Sequence, residues 1–219
     1  VLTYTYTPSL ANRDSLYVNW GDGSPEQIVH ITTKTLLPDD IRRNTYTGVH
    51  TYPGPGTYII SMEDPNRNGG VVNIPYSIDV PFYIESMLVI NPFLAPNNSP
   101  TLLSPPVDIA CTFNPFYHNP AAYDIDGDSL SFQLISCKGE NGLDIPGYSL
   151  PAATNSLTID PFTGELIWDS PNLNGEFNIA ILIEEWRNGV RIGYIMRDMQ
   201  IEVESCNNDP PVIKPVIDT

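Results

Sequence analysis

The sequence predicts an all-β protein built as two tandem Ig-like antiparallel β-sandwiches. Short runs of β-branched and aromatic residues recur along the 219 residues, each bounded by Gly, Pro, Asn or Asp. No window keeps an apolar spacing typical of a helix without interruption by glycine or proline, and proline alone occupies 22 positions. Turn signals recur roughly every dozen residues, which is the spacing of short sandwich strands.

The strand signals of the first half are β-branched or aromatic runs that begin and end at turn residues. The run at residues 3–7 alternates threonine with tyrosine and follows Leu2, a pattern that buries one face of a strand. We predict strands over residues 3–7, 15–20, 27–35, 57–63 and 71–78.

The clearest element is a hairpin near the end of the chain. Asn188 and Gly189 form the dipeptide that a tight type I′ turn prefers. On either side of this turn, apolar and polar residues alternate, so one face of the hairpin is predicted to be buried and the other exposed to solvent. The predicted inward residues are Phe177, Ile179, Ile181 and Ile183 before the turn and Met199, Ile201 and Val203 after it.

A segment rich in proline and asparagine divides the chain. Residues 92–100 are too rich in these residues for a central strand, and a similar segment begins at residue 207. We therefore predict one sandwich over 1–91, a second over 92–206, and a linker to a following domain over 207–219.

Charge is unevenly divided between the two predicted domains. The formal net charge is −16. Residues 1–91 carry nine acidic and five basic side chains, whereas residues 92–219 carry seventeen and five. This balance argues against binding to nucleic acid or to an anionic membrane surface, and it makes the second half the better candidate for binding cations. No apolar run reaches the length of a membrane span.

The three cysteines, Cys111, Cys137 and Cys206, all lie in the second half and show no C-x-x-C spacing. A tetrahedral zinc site is therefore not indicated. The leading interpretation is one disulfide with one leftover thiol, and the alternative is three free thiols. The sequence does not choose the pair.

An acidic loop holds the strongest chemical signal. Asp124, Asp126 and Asp128 alternate with other residues, and Gly127 allows a bend. Three carboxylates at this spacing repel one another unless a cation lies between them, and hard oxygen ligands favour Ca²⁺. The loop does not follow the EF-hand pattern, since a strand is predicted after it. The alternative interpretation is a solvated acidic turn.

Residues 122–130, followed by residues 158–168, resemble a cadherin-like, dystroglycan-type β-sandwich. The resemblance implies that Asp124 and Asp126 bind Ca²⁺ together with Asn97 or Asn98 of the preceding linker. Asp128 is an extra acid that would complete or support the site. Asp160 stands where cadherins carry the aspartate of a second motif, whose glutamate is missing here. The resemblance implies Asp160 as a ligand of a second site, with residues 207–209 as its partners.

Residues 17–24 and 50–60 resemble the polycystic-kidney-disease (PKD) domain. The motif residues Trp20, Asp22, His50, Tyr52 and Tyr58 are predicted to form core and corner contacts rather than a catalytic site. The order of PKD and cadherin-like modules is similar to that of large surface proteins of Bacteroidetes associated with gliding motility and type IX secretion.

These resemblances imply a non-enzymatic, extracellular structural or adhesive segment of a bacterial cell-surface protein. In it, Ca²⁺ would stiffen the junction between the two sandwiches. The expected partners are neighbouring domains, surface polysaccharide or another cell-surface protein. The usual hydrolase, metalloprotease, phosphate-loop and dinucleotide motifs are missing from the sequence. The alternative function is a carbohydrate-binding module of a secreted polysaccharide-degrading enzyme, with Trp186 as its stacking residue.

Overall fold

The computed structural model describes residues 1–6, 13–38, 40–65 and 67–206. The strands of the first half are β1 (Leu2–Tyr6), β2 (Ser15–Asn19), β3 (Gln27–Leu36), β4 (Ile41–Tyr46), β5 (Gly56–Asp64) and β6 (Phe82–Ile90). Those of the second half are β7 (Thr101–Leu102), β8 (Val107–Cys111), β9 (Phe116–His118), β10 (Ala122–Tyr123), β11 (Ser129–Ile135), β12 (Ala153–Ile159), β13 (Leu166–Pro171), β14 (Gly175–Arg187) and β15 (Val190–Glu204). Short 3₁₀ turns cover Ser77–Asp79 and Glu140–Gly142. The predicted linker at 207–219 lies outside the described residues.

The all-β prediction is confirmed, and the strand pairs are antiparallel with the exception of β8 and β15. The largest sheet runs in the order β1-β4-β3-β2-β5-β6-β15-β14-β11, with β8 on β15. Separate small sheets hold β12-β13-β9 and β10-β7. Strand β8 lies near the start of the second half and β15 at its end. The chain between them supplies the long connection that a parallel pair needs. The division into two Ig-like sandwiches remains a prediction.

Four of the five strands predicted in the first half are present among the described residues. The strand predicted at 71–78 is wrong. Pro75 interrupts this segment, and the side chain of Asn73 bonds the backbone of Asn178 and Ser149 instead of facing a neighbouring strand. The apolar residues of the segment pack on the outer face of β14 and β15. The apolar composition of residues 71–78 therefore reflects their burial against the second half and not strand formation.

The two halves of the chain share one sheet. Strand β6 of the first half pairs with β15 of the second through residues 86–88 and 193–195. Tyr194 strengthens this junction by donating its hydroxyl to Glu85 over 2.6 Å. Contact across the predicted boundary at residue 92 therefore does not depend on the connecting segment 92–100 alone.

The main core lies between the sheet of β11, β14 and β15 and the sheet of β9, β12 and β13. Trp168 is completely buried at its centre, where its ring meets Phe177 edge-on at a centroid distance of 5.1 Å. The predicted inward residues of the hairpin all belong to this core. The turn also agrees with the prediction, because Asn188 and Gly189 both have positive φ.

The cysteines form one disulfide, between Cys111 and Cys206, and Cys137 is a buried free thiol. This outcome agrees with the leading interpretation and identifies the pair. The bond joins the end of β8 to the residues after β15, next to their parallel pairing. Among the residues that the structure describes, no helix is long and apolar enough to cross a membrane.

Candidate metal centre

The acidic loop between β10 and β11 is held in shape by its first aspartate. Asp124 Oδ1 accepts the backbone N–H groups of Asp126 and Asp128 at 2.9 and 3.0 Å. Gly127 adopts a φ of 81°, which places the bend in a region that glycine enters without strain. The second oxygen of Asp124 is buried and has no hydrogen-bond partner in the described chain.

Three carboxylates from two separate segments meet beside this loop. One oxygen each from Asp124, Asp128 and Glu185 lies within 4.8 Å of the others. Glu185 belongs to β14 and is fully buried, and its Oε2 has no hydrogen-bond partner among the described residues. Two carboxylate oxygens to which no other described residue donates therefore lie in one small, mostly buried volume, which is costly unless a proton or a cation lies between them.

The sequence prediction did not include Glu185, although its pattern held a signal. Along β14 the inward series Phe177, Ile179, Ile181, Ile183 ends at Glu185, so a carboxylate occupies a core-facing position. Its neighbour Glu184 faces the other way and pairs with Arg191 at 2.7 Å. A charged residue in register with an apolar series is a candidate functional residue, because it breaks the local burial rule.

The environment of Glu185 favours its neutral form when no cation is present. Burial raises the pKa of Glu185 to about 7, and the hydrogen bond from Asn97 opposes this shift. The charges of Asp124 and Asp128 add to it, as does a hydrogen bond that protonated Glu185 makes to Asp124. A bound cation would reverse the balance by stabilising the charged form.

The connecting segment reaches the carboxylate cluster through Asn97, whose Nδ2 donates to Glu185 Oε1 over 2.9 Å. Arg187 forms a second tie between the segment and the site. Its guanidinium makes two bonds to the carboxylate of Asp128, at 2.7 and 2.6 Å, and it also donates to Asn97 Oδ1 and to the carbonyl of Ala95. Arg187 thus supplies one positive charge at the edge of the cluster.

Asp126 and Asn98, also predicted as ligands, form a separate pair. Asn98 donates its backbone N–H to Asp126 Oδ2 over 2.6 Å and its side-chain amide to both carboxylate oxygens. These bonds lower the pKa of Asp126, with a smaller contribution from Arg187. Asp126 therefore binds the connecting segment through Asn98, and Asp126 is not part of the carboxylate cluster.

Asp160 is placed in a different role. Its Oδ1 accepts the backbone N–H groups of Phe162 and Thr163 at 2.8 and 2.7 Å, so it shapes the turn between β12 and β13. These bonds lower the pKa of Asp160. The cluster does not include Asp160, and residues 207–209, predicted as its partners in a second site, lie outside the described residues.

The residues that resemble the PKD motif make structural contacts. The rings of Trp20 and His50 stack at a centroid distance of 4.9 Å, and His50 Nε2 lies 2.7 Å from Asp22. Gly21 has a φ of 77°, and a side chain there would collide with the carbonyl oxygen of Ile59. The glycine is required by this close approach to β5.

Trp186, the stacking residue of the carbohydrate-binding alternative, is partly buried. Its Nε1 donates to Ser131 Oγ over 2.9 Å across the β11–β14 pair. The indole is therefore anchored to the neighbouring strand at its polar edge.

The donor set of the cluster fits a hard cation. Its ligand atoms are all carboxylate oxygens, and two of them are buried without a partner. Each oxygen of Asp128 keeps a lone pair beyond the one that accepts from Arg187. No protein-family model matches the chain, and no curated protein sequence matches it either.

Proposed function

We propose that this chain is a non-enzymatic, extracellular structural or adhesive segment of a bacterial surface protein, in which Ca²⁺ binds to Asp124, Asp128 and Glu185. The observation that carries the calcium proposal is the pair of buried carboxylate oxygens, Asp124 Oδ2 and Glu185 Oε2, to which no other described residue donates a hydrogen bond. Buried polar atoms are normally paired, so two such oxygens side by side share either a proton or a cation.

Charge balance supports a divalent ion. Three ionised carboxylates with the one guanidinium of Arg187 leave two negative charges at the cluster. A divalent cation neutralises them, and it opposes the burial and the repulsion that together raise the pKa of Glu185. Ca²⁺ suits the site better than Mg²⁺, because it accepts irregular sets of oxygen ligands while Mg²⁺ demands an octahedron.

The position of the cluster defines what the ion would do. Asn97 touches Glu185, and Arg187 connects Asp128 to the same segment. An ion at the cluster would fix the ends of this network and so hold the connecting segment 92–100 against the second half. Because β6 and β15 already pair, the ion would stiffen the segment rather than join two otherwise separate halves.

One further feature supports an extracellular setting. The Cys111–Cys206 disulfide is compatible with an oxidising compartment. Extracellular modules bind Ca²⁺ with dissociation constants of roughly 0.1–1 mM, which suits a site with few protein ligands. Adhesion to surface polysaccharide or to another cell-surface protein belongs to the proposal as the role of the parent protein.

The test is a thermal melt and a calorimetric titration of the whole chain with CaCl₂, and with MgCl₂ for comparison. Ca²⁺ at 100 times its dissociation constant should stabilise the native state by about 2.7 kcal/mol. Asp124→Asn and Glu185→Gln should remove this gain. Glu184→Gln is the matched control, since Glu184 is adjacent to the site in sequence but faces away from it. Equal calcium stabilisation of Asp124→Asn and the wild type would refute the site.

A further inference from the structure

A cavity of about 800 Å³ lies where the two halves meet. It adjoins a gap along one edge of β15, which pairs with β6 at residues 193–195 and with β8 at residues 200–204. Between these two neighbours, no described strand covers that edge. The cavity has the size of a site for a small organic ligand, and such sites are common where two modules meet.

The cavity is lined by Arg197, which stands at a core-facing position of β15. The residues on either side of it in the same register, Ile195 and Met199, are apolar and pack in the main core. Arg197 is only 5% exposed. An arginine in this register breaks the burial pattern in the same way as Glu185 does, so it also marks a candidate site.

Arg197 has one protein acceptor and no carboxylate partner in the described chain. Its Nη2 donates to the carbonyl oxygen of Ser104 over 2.8 Å. Its Nε and Nη1 are buried without a hydrogen-bond partner among the described residues. Burial lowers the pKa of Arg197 to about 10, and electrostatic attraction to Tyr4 and Asp108 opposes this shift. An arginine keeps its proton at neutral pH even then, so this position holds a buried positive charge with no carboxylate in hydrogen-bond contact among the described residues.

Four other charged residues at the cavity form two ion pairs. Arg67 pairs with Asp198 at 2.7 Å and Arg13 pairs with Asp64 at 2.6 Å. Glu85 also lines the cavity, and its carboxylate accepts the hydroxyls of Tyr83 and Tyr194. Among the described residues, none of these three carboxylates forms an ion pair with Arg197. Arg67 adds two further buried nitrogens without a described acceptor, Nε and Nη1.

The remaining wall is mainly apolar. Hydrophobic side chains from both halves line it: Val18, Ile60, Met62 and Ile84 from the first, and Leu102 and Ile195 from the second. A ligand that matched both the wall and Arg197 would carry one negative group on an apolar body. A monoanionic head suits a single guanidinium that lacks an ion-pair partner, since a dianion would bring a second buried charge without a partner.

We propose that this cavity binds a small organic acid, with its carboxylate at the free N–H groups of Arg197 and its apolar body against the walls contributed by both halves. The ligand then neutralises the buried guanidinium and fills the space beside the uncovered edge of β15. Because the ligand contacts both halves, its binding also stabilises their junction. The proposal is independent of the calcium site.

The experiment titrates the whole chain with octanoate and 4-phenylbutyrate, and with the corresponding uncharged amides, in EDTA so that the calcium site plays no part. Each acid should bind saturably and about tenfold or more tightly than its amide, because it alone makes a charged hydrogen bond. Arg197→Met should remove this preference. Arg191→Met is the matched control: Arg191 also lies on β15, but it is exposed, pairs with Glu184 and does not line the cavity.

A second variant keeps the test valid if Arg197→Met does not fold. Ser86 also lines the cavity, so Ser86→Trp should fill the space and abolish binding of both acids while Arg197 is retained. Circular dichroism and a thermal melt report whether each variant is folded. The proposal is overturned if neither acid binds saturably to the wild type, if acids and amides bind equally, or if the folded variants bind like the wild type.

Discussion

Arg67 and Asp198 are 131 positions apart in sequence, yet their side chains form an ion pair at 2.7 Å in which they are only 2% and 0% exposed. Arg67 follows β5, and Asp198 lies on β15. The guanidinium also donates to the carbonyl oxygen of Lys138 over 2.9 Å and lies 5.1 Å above the ring of Phe82. The pair therefore holds the loop after β5 against the sheet of the second half.

Breaking this pair from one side is expected to destabilise the protein strongly. Arg67→Met or Asp198→Asn alone leaves a buried charge without its partner, which costs about 3–5 kcal/mol. The double variant should lose less than the sum, because neither charge is then buried. Urea denaturation of the four proteins measures the coupling. Strictly additive losses would contradict the role assigned to the pair.

The stability of the calcium-free protein should fall as pH rises, because of Glu185. Its pKa is about 7 in the folded protein, above its ordinary value of 4.5. Between these values the native state binds more protons than the unfolded state, so the free energy of unfolding decreases as pH increases. In EDTA, Glu185→Gln should lack this part of the slope and should be more stable than the wild type at pH 8. Denaturation at pH 5 and pH 8 tests this, with Glu184→Gln expected to behave like the wild type.

Calcium affinity should increase as pH rises, whereas the stability of the calcium-free protein should decrease. A proton on Glu185 competes with the ion, so the dissociation constant for Ca²⁺ should rise as pH falls below about 7. Calorimetric titrations at pH 6 and pH 8 measure this change. A constant affinity over that interval would show that Glu185 is not a ligand.

Arg187 is expected to control the mobility of the connecting segment. Arg187→Gln removes its bonds to Asp128 and to the carbonyl of Ala95, so residues 92–100 should be cleaved faster by a nonspecific protease and should exchange amide hydrogens faster. Arg191→Gln is the control from the same hairpin, since Arg191 contacts Glu184 and not the segment. Equal protection in the two variants would contradict this role.

Replacing Cys111 and Cys206 together by serine should lower the free energy of unfolding. The disulfide closes a loop with a sequence separation of 95, for which the chain-entropy model predicts a loss of about 4–5 kcal/mol. Urea denaturation with and without reductant measures this. The variant should be insensitive to reductant, and a wild type equally insensitive would show that the bond contributes nothing to stability.

The sequence predicted those elements that local patterns specify. The hairpin was predicted with its turn because Asn188 and Gly189 encode the backbone conformation themselves. Strands β4 and β6 were not predicted, and 71–78 was predicted wrongly. For β6 and for 71–78 the outcome depends on distant partners, namely the pairing of β6 with β15 and the packing of 71–78 on the second half. Strand β4 pairs with the preceding β3, and its polar sequence gave no strand signal.

The candidate site was predicted only in part, for a similar reason. Asp124 and Asp128 are close in sequence, and their loop was singled out. Glu185 lies on another strand and reaches them only through the antiparallel register of β11 and β14, in which Ser129 is paired with Trp186. No spacing rule within one segment connects these residues. The one signal in the sequence was that Glu185 occupies the next inward-facing position after a series of apolar residues on the same strand.

The covalent link between Cys111 and Cys206 has a mechanical consequence for a segment that carries load. Tension applied through the chain before Cys111 and after Cys206 passes directly across the sulfur bridge. The residues between them, which include the β14–β15 hairpin, are thereby shielded from stretching. At about 3.4 Å per extended residue, the disulfide prevents roughly 320 Å of chain from being extended. Under tension only the part of the chain outside this loop can lengthen, while the acidic cluster inside it stays assembled.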